Sequence, residues 1–521
     1  MVDATWSRRS LLKGAVGAGA LAATGGIVAA CSTDTSAPNG TASPNAEVNG
    51  RSGFAMPAEI ESSAGVLRAE LVCTSSTSVI GGTSVRTMTY GATAPGPTLR
   101  ARPGDTLRIT LVNNLAEATS GGGMMMGGGQ GNGGMQGQGM SDNGTNLHTH
   151  GLHVSPSGNS DNVFLDVARG ARQEYEIAIP ADHWGGLNWY HPHRHGAVSH
   201  QVLGGMAGAI VIAGPLDEVP EVREAGEDLL VLQRIQDGPA MLVRMAEMHD
   251  DRSLSLSGNP LFTVNGVVAP QLQMRPGEVR RWRIVNADPI DYFDLTLLDA
   301  KGRSLPGGLK FLARDGMTLP KLVESDSHVM VPGNRFDVLV QAPATPGTFS
   351  LVGRTATGFG QPDVTFATVV VSGSPVKMGL PTKLPAQITP IPASAVTQRQ
   401  VVEFGSWGNA MTVNGLTFDQ GPSVVELKLG TVAEWEVRNL SDQPHAFHIH
   451  TNPFYVVAEN GRPVAEPAFW DTYPIPPATG PTTPGSITVR MAPTDFTGKI
   501  VMHCHILPHE DAGMMAVVNL V

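Results

Sequence analysis

Three segments of the chain repeat one pattern, and that repeat limits the fold more than any other feature. Each has a Gly-bearing turn followed by a strand that alternates polar or basic with apolar residues and ends in Asn. They are Pro103-Gly104-Asp105-Thr106-Leu107-Arg108-Ile109-Thr110-Leu111-Val112-Asn113, Pro276-Gly277-Glu278-Val279-Arg280-Arg281-Trp282-Arg283-Ile284-Val285-Asn286 and Leu429-Gly430-Thr431-Val432-Ala433-Glu434-Trp435-Glu436-Val437-Arg438-Asn439. Alternation with a period of two puts the apolar side chains on one face of a strand. Val264-Asn265-Gly266 and Val413-Asn414-Gly415 stand ahead of the second and third copies as similarly placed turn signals. The recurrence predicts three homologous β-sandwich domains. A length of 521 residues allows two to four domains. The 62 Gly, 39 Pro and only 16% charged residues suit a turn-rich all-β protein with ample core.

Composition shifts mark the boundaries. Gly214-Pro215 to Glu227 is a polar, Pro-containing connection, and Pro375 to about Thr397 is a Pro-rich linker. The expected domains cover residues 55–215, 225–375 and 398–521. A net charge of −11 leaves no basic face to neutralise phosphates, which argues against nucleic acid as a partner.

The first 31 residues are expected to be an export signal. Ser7-Arg8-Arg9-Ser10-Leu11-Leu12-Lys13 is a twin-arginine motif, and the Gly/Ala-rich run from Gly14 to Ala30 is too short and too weakly apolar to span a membrane. Val28-Ala29-Ala30-Cys31 resembles a bacterial lipobox, in which Cys31 would carry lipid and residues 32–54 would form a tether. Ordinary cleavage near the Ala-x-Ala-like run, releasing a soluble protein, is the alternative.

The chemistry concentrates at the far end, in His503-Cys504-His505-Ile506-Leu507-Pro508-His509-Glu510-Asp511-Ala512-Gly513-Met514. Lys499-Ile500-Val501-Met502 reads as a buried strand entering this motif. Successive strand side chains point to opposite faces, so Cys504 faces one way while His503 and His505 face the other. One segment can then serve two metal sites. A thiolate, imidazoles and a weak axial Met are the ligands of a blue-copper electron-transfer centre, and His509 and Met514 follow the Cys at loop spacing. The remaining donors must come from His148-Thr149-His150-Gly151, His191-Pro192-His193 and His445-Ala446-Phe447-His448-Ile449-His450. The four clusters hold ten of the chain's 16 His, too ordered a set to be scattered packing residues.

These four motifs, two near the front and two near the end, resemble those of the multicopper oxidases, the family of laccases, bilirubin oxidases and bacterial cuprous oxidases. The resemblance covers roughly residues 55–521. It implies that the sandwiches are cupredoxin-like Greek keys. It also implies four coppers per chain. Cys504, His445 and His509, with axial Met514, would hold the type 1 copper, and His148 and His448 the type 2 copper. His150, His191 and His505 would hold one type 3 copper, and His193, His450 and His503 the other. Electrons from a reducing substrate would pass from Cys504 through His503 and His505 to a trinuclear cluster that reduces dioxygen to water. Glu510 matches a position where bacterial cuprous oxidases carry a proton-relaying Glu, and Asp161 matches the family's acid near the type 2 copper. The middle block has only the widely separated His249 and His328 and is given no copper. Its expected job is to space the outer domains.

With Cys31 and Cys504 so used, only Cys73 remains, as a small buried hydrophobe, and no disulfide framework exists. Residues 121–140 are a Met- and Gly-rich insert without charge, opening with Gly121-Gly122-Gly123-Met124-Met125-Met126-Gly127. Thioethers select Cu(I), so the insert is either a copper-collecting loop or low-complexity filler. Met241, Met245 and Met248, at helical spacing, read as packing. His153, His183, His195 and His200 read as structural, with His195 placed to support a ligand, and Trp470-Asp471-Thr472 carries no assignable chemistry. The leading expectation is an oxidase of phenol-like organics in the cell envelope. A cuprous oxidase for copper tolerance is the runner-up, and a non-catalytic copper-binding envelope protein is a third reading. In the cuprous subgroup an acidic residue and a Met precede the type 1 His. Here Asp442 is present in Ser441-Asp442-Gln443-Pro444 but the Met is not.

Overall fold

The computed structural model describes residues 53–116, 143–236, 260–356, 362–407 and 410–521. The signal and tether to residue 52, the Met-rich insert, Met241, Met245, Met248 and His249 lie outside the described residues. The strands form six sheets, two to each of three sandwiches, as the all-β expectation requires.

In one sheet of each sandwich the repeated block supplies a central strand: Thr106–Asn114, Val279–Asn286 and Ala433–Asn439. Each lies parallel to the first strand of its own sheet and antiparallel to a later one. The turn before each block needs its glycine, since Gly104, Gly277 and Gly430 have φ of +88°, +76° and +69°. Leu107, Ile109 and Leu111 of the first block are buried while Arg108 is exposed, the alternation that its sequence dictates. The middle block departs from it. Arg281 and Arg283 are also buried, because this sheet is covered on both sides. Their guanidinium groups pair with Asp337 at 2.6 and 3.3 Å and both reach Asp217 in the inter-sandwich connection, at 2.5 and 2.6 Å.

The other three sheets share one order over four of their five strands, and this positions the site. Gly186–His191, Gly347–Thr355 and Gly498–Cys504 occupy equivalent places, beside His148–His150, Phe293–Asp299 and His445–Ile449. In the outer sandwiches these neighbouring strands bring His148 opposite His191 and His448 opposite His503. In the middle sandwich the same place is apolar: Phe293 and Phe366 pack edge to face at 5.0 Å over Gly353. A small cluster formed by Leu187, Trp189 and Val211 with Leu229, Val231 and Val285 joins the first sandwich to the middle one.

Candidate metal centres

Strand Gly498–Cys504 delivers donors to two sites. On one face, the Cys504 Sγ lies 3.6 Å from Nδ1 of His445 and 3.6 Å from Nδ1 of His509, and these two nitrogens are 3.1 Å apart. All three residues are buried, as is Met514. The segment expected as loop contains one turn of helix, Leu507–Asp511, with Pro508 in the first turn, where no N–H is required. The turn folds the chain back, so that the Met514 N–H donates to the His509 carbonyl at 2.9 Å and the Cys504 N–H to the Met514 carbonyl at 3.1 Å. The outer nitrogen of His445, Nε2, is held by Ser441 Oγ at 2.8 Å. Burial pushes the Cys504 thiol up to about 12, lowers His509 to about 4 and holds His445 well below the usual imidazole range. A soft cation at this point would displace the thiol proton and leave both imidazoles as neutral donors.

The other face meets the first sandwich, and eight imidazoles converge there, four from each side. Most of the outward nitrogens have protein partners, although Nδ1 of His505 is buried without one. His148 Nδ1 lies 3.1 Å from both oxygens of Asp161, His191 Nδ1 donates to the Pro192 carbonyl at 2.8 Å, and His448 Nδ1 to the Asp471 carbonyl at 2.7 Å. The Nε2 atoms of these three rings are buried without a partner. The Nε2 of His193 is 3.1 Å from that of His503 and 3.1 Å from that of His450. His150 is turned the other way, with Nδ1 3.2 Å from His505 Nε2 and Nε2 3.1 Å from Asp471 Oδ1.

A ring whose outer nitrogen donates a hydrogen bond presents a bare lone pair inward. Converging lone pairs in a dry interior fit cations and little else. Burial, reinforced by neighbouring rings, keeps His150, His191, His448, His450 and His505 well below the ordinary imidazole value and brings His193 to about 3. They are neutral donors at any physiological pH. The donor set therefore fits copper at both sites.

Both expected acids are buried against the imidazoles. Burial opposes ionisation of Asp161, but the His148 ring and the Thr149 N–H, at 2.8 Å, hold its carboxyl below the usual range. Glu510 lies 3.1 Å from His503 Nδ1 and 3.5 Å from His193 Nδ1, and these rings outweigh burial to bring it down to about 2.

Other expectations are corrected. Asp471 and Thr472 do have chemistry: Asp471 holds His150 and His448, and Thr472 Oγ1 lies 3.1 Å from His448 Nδ1. His195 does not support a ligand ring; its Nε2 faces Asp419 at 3.0 Å. Pro192 follows the strand end at His191, so His193 is reached from outside the sheet, its N–H bound to Asn146 Oδ1 at 2.6 Å. His153 bridges to Asp495 at 3.0 Å, and His328 stacks on Trp470. Cys73 is a free, buried thiol, as expected. Ser441, Asp315 and Arg335 were not singled out for chemistry. Hydroxyls, carboxylates and guanidiniums are too common for sequence to mark these three.

Two multicopper oxidase family models match the chain, one over residues 72–126 and 138–217, the other over 390–520, together about half its length. Multicopper oxidase Mco of Staphylococcus haemolyticus is 23% identical over 441 residues, covering 83% of this chain and 84% of its own. Among solved structures, a laccase-like multicopper oxidase from the lignin-degrading bacterium Ochrobactrum sp., described as active towards lignin model compounds, superposes with TM-score 0.69 and 23% identity, over 90% of this chain and 100% of its own. The multicopper oxidase of Campylobacter jejuni, described as a metallo-oxidase, does so with TM-score 0.69 and 23% identity, over 90% and 95%. With family matches at both ends of the chain and copper-fitting donors where those ends meet, this protein belongs to the multicopper oxidase family and is an oxidoreductase acting with oxygen.

Proposed function

We propose that the chain couples one-electron oxidation of a phenol-like organic to four-electron reduction of dioxygen to water. Cys504, His445, His509 and Met514 would hold the type 1 copper, and His148 and His448 the type 2 copper. His150, His191 and His505, and His193, His450 and His503, would hold the type 3 pair. Bound there, copper supplies the electron acceptor at the Cys504 site and the dioxygen-reducing centre at the eight-His site. The observation that carries the reading is covalent continuity: Cys504 belongs to one site and its direct neighbours His503 and His505 to the other. No diffusing carrier is then needed between the place where electrons enter and the place where they leave.

Each phenol gives up one electron and one proton, and dioxygen takes up four of each to make two waters. Glu510, in reach of two ligand imidazoles from within the buried core, is proposed to pass protons inward. Asp161 acts through His148 and is proposed to fix its ring. The twin-arginine segment is proposed to export the folded chain, and Cys31 to anchor it outside the cytoplasmic membrane. Labelling of Cys31 by a lipid precursor tests that step, and a Cys31→Ala chain recovered free of membrane supports it.

Cuprous oxidation is the second reading, favoured by the Met-rich residues 121–140 and by the fold shared with the Campylobacter metallo-oxidase. Oxygen consumption by the copper-loaded chain, with a phenol and then with Cu(I), separates the two. Turnover with phenol that persists when residues 121–140 are deleted supports the phenol reading. Turnover with Cu(I) alone that collapses on the deletion replaces it with the cuprous one.

A further inference from the structure

The middle sandwich does more than space its neighbours. Arg335, the first residue of strand Arg335–Gln341, is fully buried where all three sandwiches meet. Its Nη1 and Nη2 donate to the two oxygens of Asp471 in the third sandwich, at 2.7 and 2.6 Å, and its Nε donates to the Leu187 carbonyl of the first at 3.3 Å. The guanidinium sits directly against the residue after His150, since a Cβ on Gly151 would lie 2.2 Å from Nη2. Asp315, also from the middle sandwich, accepts the N–H groups of Asp471 and Thr472 at 3.2 Å each, and the Asn334 side chain donates to the Thr472 carbonyl at 2.8 Å. Asp471 is thus held by side chain and backbone alike.

That hold passes directly to two imidazoles. Asp471 Oδ1 faces His150 Nε2 at 3.1 Å and its backbone carbonyl accepts from His448 Nδ1 at 2.7 Å. His150 belongs to the first sandwich and His448 to the third, so one residue sets rings on both sides of the site. His150 is the ring that turns Nδ1 inward, and an acceptor at Nε2 is what fixes that tautomer. A lone carboxylate in this dry position would be strongly disfavoured. The planar guanidinium supplies its counter-charge and fixes its plane, as a point charge cannot.

We propose that Arg335 is a positioning residue for the oxygen-reducing centre: acting through Asp471, it fixes His150 with Nδ1 inward and His448 with Nε2 inward. The inference rests on the copper reading above. The test uses the full copper-loaded chain, comparing wild type with Arg335→Met, and it has three readouts. Absorption of the Cys-bound copper reports a folded third sandwich, paramagnetic resonance reports the type 2 copper, and chelator competition reports affinity at the eight-His site. The expected result is unchanged Cys–copper absorption, an altered type 2 signature and an affinity lowered by roughly 10- to 100-fold. A wild-type signature and affinity in Arg335→Met, whatever its thermal stability, would overturn the proposal and leave Arg335 as a strut between sandwiches. If Arg335→Met loses the Cys–copper absorption, Arg335→Lys decides on the same two readouts, since it keeps the charge but not the fork. If wild type itself fails to load the eight-His site, the copper reading falls rather than the role of Arg335.

Discussion

Glu510 and Asp161 touch the same kind of group, the outer nitrogen of an imidazole of the eight-His site, and two substitutions separate their proposed roles. Glu510→Gln keeps the shape and removes the exchangeable carboxyl. Dioxygen turnover is expected to fall by about 10²-fold or more, with copper content unchanged. A Glu510→Gln chain that turns over at the wild-type rate across the pH range contradicts the relay. Asp161→Asn is expected to act on affinity instead, lowering copper retention at the eight-His site by roughly 10- to 100-fold, read by chelator competition. The converging imidazoles and the Cys504 thiol were legible in the sequence, because soft-metal chemistry restricts candidate donors to few residue types at strict spacing. Asp471 and Arg335 were not, being ordinary surface-type residues that meet across 136 positions of chain.

At the level of elements, period-two alternation marked the three block strands, and the Gly turns marked where each begins. The single turn Leu507–Asp511 gave no such mark, since five residues are too few to display helical periodicity. Yet that turn carries His509 and brings Met514 back beneath Cys504. A second element hidden from the sequence is the turn Pro332-Gly333-Asn334 of the middle sandwich. Gly333 has φ of +89°, and a Cβ there would come within 3.0 Å of the His505 ring. Gly333→Ala is therefore expected to shift that ring and weaken copper binding at the eight-His site while the Cys504 site stays intact. Copper counting together with the Cys–copper absorption checks this, and a chain that retains all its copper contradicts it.

For the whole molecule, sandwiches close around imidazoles that no single sandwich can bury, so unfolding and metal loss are expected to be coupled. Acid should drive both. Among the described residues, eleven His, buried or largely so, are held below the ordinary imidazole value, among them His183, His200 and His509 at about 4. The unfolded chain protonates these rings near 6.5 and the folded chain does not, so stability is complete above about pH 6.5 and is lost as pH falls towards 4. Four buried carboxyls, Asp288, Asp291, Asp315 and Asp511, are raised and work in the opposite direction, but they are outnumbered. The copper-free chain is expected to show a melting temperature that drops between pH 6.5 and 4; a flat or rising profile contradicts the burial of neutral imidazoles.

The proposed passage of electrons from an organic donor to dioxygen, through the His503-Cys504-His505 backbone, is best tested by stoichiometry. The copper-loaded chain would be given a phenol in excess, with dioxygen consumed and peroxide formed both followed against electrons released. The expected result is one dioxygen for every four electrons and no peroxide. One dioxygen for every two electrons with peroxide accumulating, or no dioxygen consumed by a fully loaded chain with any donor, would contradict it.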